Sequence, residues 1–215
     1  MARVAVFGGS FNPIHYGHLL LADEVLEQLG LDRVLFVPAA QPPHKPPGSL
    51  APAADRHRMV ELAVAGHPGF AVSDLELRRP GPSYTVDTLE TLAAAGDTLF
   101  LLLGSETFLD LLSWREPARI AALARLVVVP RTGSPFDPGS AAAQKVARAV
   151  GVPGFAHVEP GRPVPDRTVL IVHATSLPIS SSDLRRRARE GRSLAYRLPD
   201  VLVTYLRERH LYQDA

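Results

Sequence analysis

Residues 3–18, RVAVFGGSFNPIHYGH, place Gly8, Gly9 and Ser10 after an apolar run and two histidines, His15 and His18, three positions apart. The chemistry this spacing suits is phosphate binding. Val4, Ala5 and Val6 have the character of a buried parallel strand, and glycines at its carboxyl end let backbone approach a ligand closely. Pro13 cannot lie inside a helix, so a helix is expected to begin near His15 and to run through LLLADEVLEQL to Gly30. Both histidines then share one face of its first turn. The unpaired N–H groups and the positive dipole end of that turn favour an anion. A histidine pair also suits metal ligation, but such a site wants three or four ligands, and neither an HExxH motif nor any cysteine completes one, so no protein-built metal centre is expected.

A second segment, LPISSSDLRRRAREG, sets three hydroxyls, Ser180, Ser181 and Ser182, directly before a basic helix. Capping explains one of them. Three in succession, with Arg185 in the first turn, point to a second anion site. The rest of the run to Arg189 reads as a solvated helix face. The Pro-rich stretch 38–52 is too long for an idle connection and is expected to bind or cover a ligand. It carries Lys45, one of only two lysines in the chain, either as a phosphate-seeking cation or as a solvated one. Trp114, the sole tryptophan, suits either core packing or stacking on a flat ring.

The elements that must position these residues alternate. Apolar runs at 33–37, 98–103, 125–130 and 168–172 read as further buried strands, with helical patterns at 18–29, 55–65, 85–95, 105–112, 117–124 and 140–149. That order predicts an α/β fold with a doubly wound parallel sheet covered on both faces. Ligands of such sheets bind beyond the carboxyl ends of the strands, where Gly8, Pro38, Gly104 and Pro130 fall, so one crevice is expected there. At 215 residues the expectation is one domain, a core over 1–178 with a C-terminal helical segment, 179–215, belonging to it.

Hydrophobic residues at 46% and charged ones at 21% are ordinary for a globular protein. No run approaches a membrane span and the amino terminus lacks the blocks of a signal peptide, so a cytoplasmic protein without a membrane partner is expected. A net charge of +1 argues against long nucleic acid as a partner. No pattern specifies an oligomeric state.

GGSFNPIHYGH together with ISSSDLR resembles the paired HxGH and ISSTxIR signatures of the nucleotidyltransferase superfamily that also underlies class I aminoacyl-tRNA synthetases. Within it the chain is similar to the bacterial nicotinate-mononucleotide adenylyltransferases, through PPHK at 42–45, SYTVDTL at 83–89, LGSETFLDLLSW at 103–114, VVVPRTG at 127–133 and LPDVLVTYLRERHLY at 198–212. The resemblance implies a Rossmann-like fold with a small C-terminal helical extension. It also implies attack by the phosphate of nicotinate mononucleotide on the α-phosphorus of ATP, with Mg2+ bound alongside ATP.

By the same resemblance, His15 and His18 contact ATP phosphates, with His18 stabilising the transition state. Gly8, Gly9, Ser10 and Phe11 form the first phosphate loop, and Lys45 reaches the transferring phosphates. Ile179, Ser180, Ser181 and Ser182 hold ATP from the opposite side with Arg185. Gly104, Glu106 and Arg131 line the nucleotide ribose and phosphate region. Ser83, Tyr84, Thr85 and Trp114 form the nicotinate pocket. Two positions depart from the pattern: Glu106 stands where Asp is usual, one methylene longer, and Ser182 stands for Thr, keeping the hydroxyl.

The chemistry fits these side chains. Nucleotidyl transfer asks little covalent work of a protein, because an ionised phosphate oxygen attacks in line once charge is neutralised. Positioning and preorganised positive charge supply the rate. Two other readings stay open from sequence: the same transfer to the nicotinamide mononucleotide, and a nucleotide-binding regulatory module without turnover.

Overall fold

A computed structural model describes residues 1–46, 48–130 and 136–213. In chain order the first half contains β1 (Arg3–Gly9), α1 (Tyr16–Gln28), β2 (Arg33–Pro38), α2 (Ala53–Val64), β3 (Phe70–Val72), α3 (Leu75–Arg78), α4 (Thr85–Ala93) and β4 (Thr98–Gly104). The second half contains α5 (Ser105–Leu109), α6 (Pro117–Leu123), β5 (Ala124–Val129), α7 (Ala141–Ala149), β6 (Gly154–His157), β7 (Thr168–Ile171), α8 (Ser181–Arg189) and α9 (Asp200–Glu208).

The strands form one sheet in the order β3-β2-β1-β4-β5-β7-β6, every neighbouring pair parallel. Its middle strands are apolar on both faces because both are covered. Along β1, Ala5 and Phe7 belong to a buried cluster with Val25 of α1 and Met59 and Val60 of α2. Val4 and Val6, pointing the other way, join Val86 and Leu89 of α4, Ile120 of α6 and Val146 of α7. Leu184 of α8 and Leu202 and Leu206 of α9 lie in the same cluster as Ala5 and Phe7, so residues after 178 share the core of those before it. The chain leaves β1 toward β3 on one side and resumes on the other side with β4. The order therefore reverses between β1 and β4, the place where ligands of such sheets bind.

Three elements lie outside the sequence reading. β3 and β6 have three and four residues and form the two edges of the sheet, and none of their residues is buried. α3 is a single turn. The helix expected over 105–112 breaks into α5 and a 3-10 turn at Leu111–Ser113, where Asp110 leaves helical geometry. Among the described residues no helix is long and apolar enough to cross a membrane.

Candidate active site

The expected single crevice is two cavities flanking the loop after β1. The loop itself is held from outside. The carbonyl of Gly9 accepts from Ala39 N at 2.9 Å, that of Ser10 from Arg56 Nη1 at 2.8 Å, that of Asn12 from Arg185 Nη1 at 2.8 Å, and that of Pro13 from the Ser181 hydroxyl at 2.8 Å. Gly9 lets the loop pack closely on Phe11, since a Cβ there would stand 3.1 Å from the Phe11 ring. Phe11 turns under the loop with φ at +44° and is buried against Phe7 and Phe36, so it supports the loop from below and lines neither cavity.

Arg56, absent from the sequence reading, is the largest fully buried side chain among the described residues, at 1% exposure. Its guanidinium also donates to the carbonyls of Ala51 at 2.9 Å, Ala39 at 2.6 Å and Ala40 at 3.0 Å. Burial lowers its pKa, yet a guanidinium stays protonated, so a fixed positive charge lies beneath the loop. Nothing local announces it. Its partners are carbonyls of two loops that the sheet brings together.

His15 caps α1 and is 6% exposed. Its ring lies over that of His18 with centroids 3.8 Å apart. The backbone N–H of His15 donates to His18 Nδ1 at 3.2 Å, which sets the neutral ring's proton on Nε2. The edge of Phe11 meets the His18 ring, centroids 5.3 Å apart. Gly17 between them leaves room for the His15 ring, since a Cβ there would lie 3.1 Å from it. The smaller cavity, about 40 Å³, is lined by His15, Gly17, His18, Val129, Pro130, Ser176 and Ile179.

The three serines divide their work. Ser180 caps α8 by accepting from Asp183 N at 3.2 Å, Ser181 ties α8 to Pro13, and Ser182 accepts from Arg185 Nη2 at 3.3 Å. Arg185 is thereby aimed at the end of the first loop.

The larger cavity, about 340 Å³, opens between β1, β4 and α4. Gly8, Gly9 and Ser10 form one wall and Gly104, Thr107, Trp114 and Arg115 another. Ser83, Tyr84 and Thr85 lie at the start of α4. Ser83 Oγ accepts from Ala40 N at 3.0 Å and Gln41 N at 3.1 Å, which fixes the entry of the Pro-rich loop. The Arg115 guanidinium stacks over Tyr84 at 5.0 Å and pairs with Asp87 at 3.7 Å.

A second residue missed from sequence, Glu76, also lines this cavity at 7% exposure. Its Oε1 accepts the Thr88 hydroxyl at 2.7 Å, and Thr88 accepts from Arg79 at 3.1 Å. Burial pushes the Glu76 carboxyl up, against hydrogen bonds from Thr88 and Ser83 and the charge of Arg79. Its signal in the sequence is slight, a single acid in a four-residue helix.

Several expected residues line neither cavity: Phe11, Ser180, Ser181, Ser182 and Arg185, which hold the loop or α8, and also Lys45 and Glu106. Lys45 is exposed, following His44, which does line the larger cavity. Glu106 is exposed on the first turn of α5 and lines neither cavity. Arg131 lies outside the described residues. Among the described residues no group of three or more His, Cys, Asp or Glu side chains could hold a metal ion.

The sequence profile of the cytidylyltransferase-like family matches residues 6–187. The chain is 43% identical over 219 residues to a probable nicotinate-nucleotide adenylyltransferase of Geotalea uraniireducens, covering 99% of both chains. It is also 43% identical to one of Thermus thermophilus, covering 98% of this chain and all of the relative. In fold it resembles the nicotinic acid mononucleotide adenylyltransferase of Plasmodium falciparum solved with NaAD, at TM-score 0.75 and 18% identity, over 99% of this chain and 98% of that one. The same enzyme solved with APC gives 0.72. By family match and full-length identity, the chain belongs to the cytidylyltransferase-like family and, within it, to the nicotinate-nucleotide adenylyltransferases.

Proposed function

We propose that this chain transfers the adenylyl group of ATP to nicotinate mononucleotide, giving deamido-NAD and pyrophosphate. The observation that carries the reading is the pair of unequal cavities on either side of one strand exit. The smaller is walled by the histidine pair, and the larger is walled by Ser83, Tyr84, Thr85 and Trp114. The names of the full-length relatives support the same reaction.

In this reading the triphosphate lies along the loop Gly8–Ser10 between His15, His18 and the start of α8, with Ser180, Ser181, Ser182 and Arg185 on its far side. The acceptor enters the larger cavity. Trp114 stacks on its pyridine ring, and the first N–H groups of α4, at Thr85, receive the carboxylate. An oxygen of the acceptor phosphate attacks the α-phosphorus in line. The bond to the bridging oxygen breaks, and pyrophosphate leaves with its electron pair. No base is needed, since the attacking oxygen is already ionised. His18 donates through Nε2 to the α-phosphate as charge builds there, and Lys45 comes to the leaving phosphates on the Pro-rich loop. When bound with ATP, Mg2+ offsets the triphosphate charge. It would be held chiefly by the phosphates, since among the described residues no group of three or more His, Cys, Asp or Glu side chains stands together to hold a metal ion.

Incubation of the purified chain with MgATP and nicotinate mononucleotide tests this. Deamido-NAD and pyrophosphate are expected in equal amounts. ATP binding without pyrophosphate release, whichever mononucleotide is supplied, would contradict it and leave a nucleotide-binding module.

A further inference from the structure

The segment LPDVLVTYLRERHLY forms α9 and the turns beside it, and no step of the proposed reaction uses it. Its side chains nonetheless return to the first phosphate loop. The Tyr212 hydroxyl donates to Asn12 Oδ1 at 2.6 Å, across 200 positions of sequence. The same oxygen accepts the backbone N–H of Ala51, in the Pro-rich loop, at 3.1 Å. A backbone N–H can only donate, so that contact fixes which end of the Asn12 carboxamide is oxygen and makes Tyr212 the donor. Burial pushes the Tyr212 phenol up, which keeps its proton in place. Asn12 is 3% exposed, and its main-chain carbonyl takes Arg185 of α8. One buried asparagine is thus gripped by three segments remote from one another.

The loop has need of such a grip. Phe11 sits in the left-handed region, which an aromatic residue enters only under constraint. In a trans peptide the next N–H points away from the preceding carbonyl. The outside donors on the Gly9 and Ser10 carbonyls therefore turn the N–H groups of Ser10 and Phe11 to the opposite side, the way successive amides meet an anion. The tail is moored separately at Asp55, which accepts Tyr205 at 2.7 Å and Arg209 at 3.1 Å.

We infer that Tyr212 is a positioning residue for adenylyl transfer, holding the phosphate loop, through Asn12 Oδ1, in the shape that receives the triphosphate. The inference rests on the proposed reaction and deepens it.

Wild type, Tyr212→Phe and Arg209→Ala are compared for kcat, for KM of ATP and of the mononucleotide, and for calorimetric affinity toward inorganic pyrophosphate. Tyr212→Phe removes one oxygen and keeps the ring. It should raise the KM for ATP about fivefold or more, the scale of one lost hydrogen bond, and weaken pyrophosphate similarly, with the acceptor KM within about twofold. Arg209→Ala loosens the same tail at Asp55 and should leave all of these within about twofold. Unchanged ATP and pyrophosphate constants in Tyr212→Phe would overturn the inference, as would equal shifts in both variants or an equal rise in both KM values. A wild type that binds pyrophosphate but makes no product would overturn the reaction instead, and the ratio of pyrophosphate affinities would still decide the role of Tyr212.

Discussion

On the α1 side of the β1 exit, side chains are engaged with protein groups. Arg56 and Arg185 hold loop carbonyls, Ser180 and Ser181 cap and tie α8, and the two histidines lie on one another around about 40 Å³ of space. On the α4 side the cavity is about 340 Å³ and its walls are a helix start, a tryptophan and an exposed stacked arginine. The difference matches the two tasks. Charge developing on a phosphate is met best by donors that need no reorganisation. A ring-bearing acceptor is recognised by a shaped space with a few polar groups. Damage on the first side should therefore appear in kcat or in the constants for ATP, and damage on the second in the acceptor KM and in the choice of acceptor.

The sharpest break in that division is His18→Ala, which should lower kcat about 10²-fold or more while the acceptor KM stays near wild type. Steady-state pyrophosphate release measures both constants, and an unchanged kcat would remove His18 from the chemistry. Trp114→Ala acts on the other side. It should reduce kcat/KM about three- to tenfold for acid and amide acceptors alike, because stacking senses the ring and not its substituent. Loss confined to one acceptor would mean that the indole reads the substituent.

The smallest effect concerns the acceptor wall itself. Burial raises the Glu76 pKa, so folding disfavours its ionised form relative to the unfolded chain. Its contribution to stability is greatest below the ordinary carboxylate range and declines as pH rises toward the raised value. Glu76→Gln keeps an acceptor for Thr88 and removes the ionisation. Its melting temperature should equal or exceed that of wild type at pH 7, the margin closing below about pH 4. A variant less stable at pH 7 would show that the charge on Glu76 is favourable where it stands.

Much of this division is legible in sequence where the signal is local. The strands β1, β4 and β5 are apolar runs, the cap at Ser180 is a serine before a helix, and the His15–His18 spacing is that of one helical turn. Where the cause is distant, the sequence is silent. β3 and β6 are short edges whose residues are not buried. Arg56 looks like any arginine of an amphipathic helix until two loops present their carbonyls. Asn12 reads as a turn residue until Tyr212 reaches it from the other end of the chain. The exposed Lys45 and Glu106 show the converse, since family spacing assigns them roles while their side chains stand outside both cavities.

The most direct test of the account is a competition between nicotinate and nicotinamide mononucleotides for one preparation of the enzyme with MgATP. The ionised carboxylate of the acid gains more than the neutral carboxamide from the first N–H groups of α4, since a hydrogen bond to an ionised group is worth about 1.5–3 kcal/mol against about 0.5–1.5 kcal/mol for a neutral one. The account predicts a kcat/KM at least about tenfold higher for the acid. Equal or better use of the amide would contradict it.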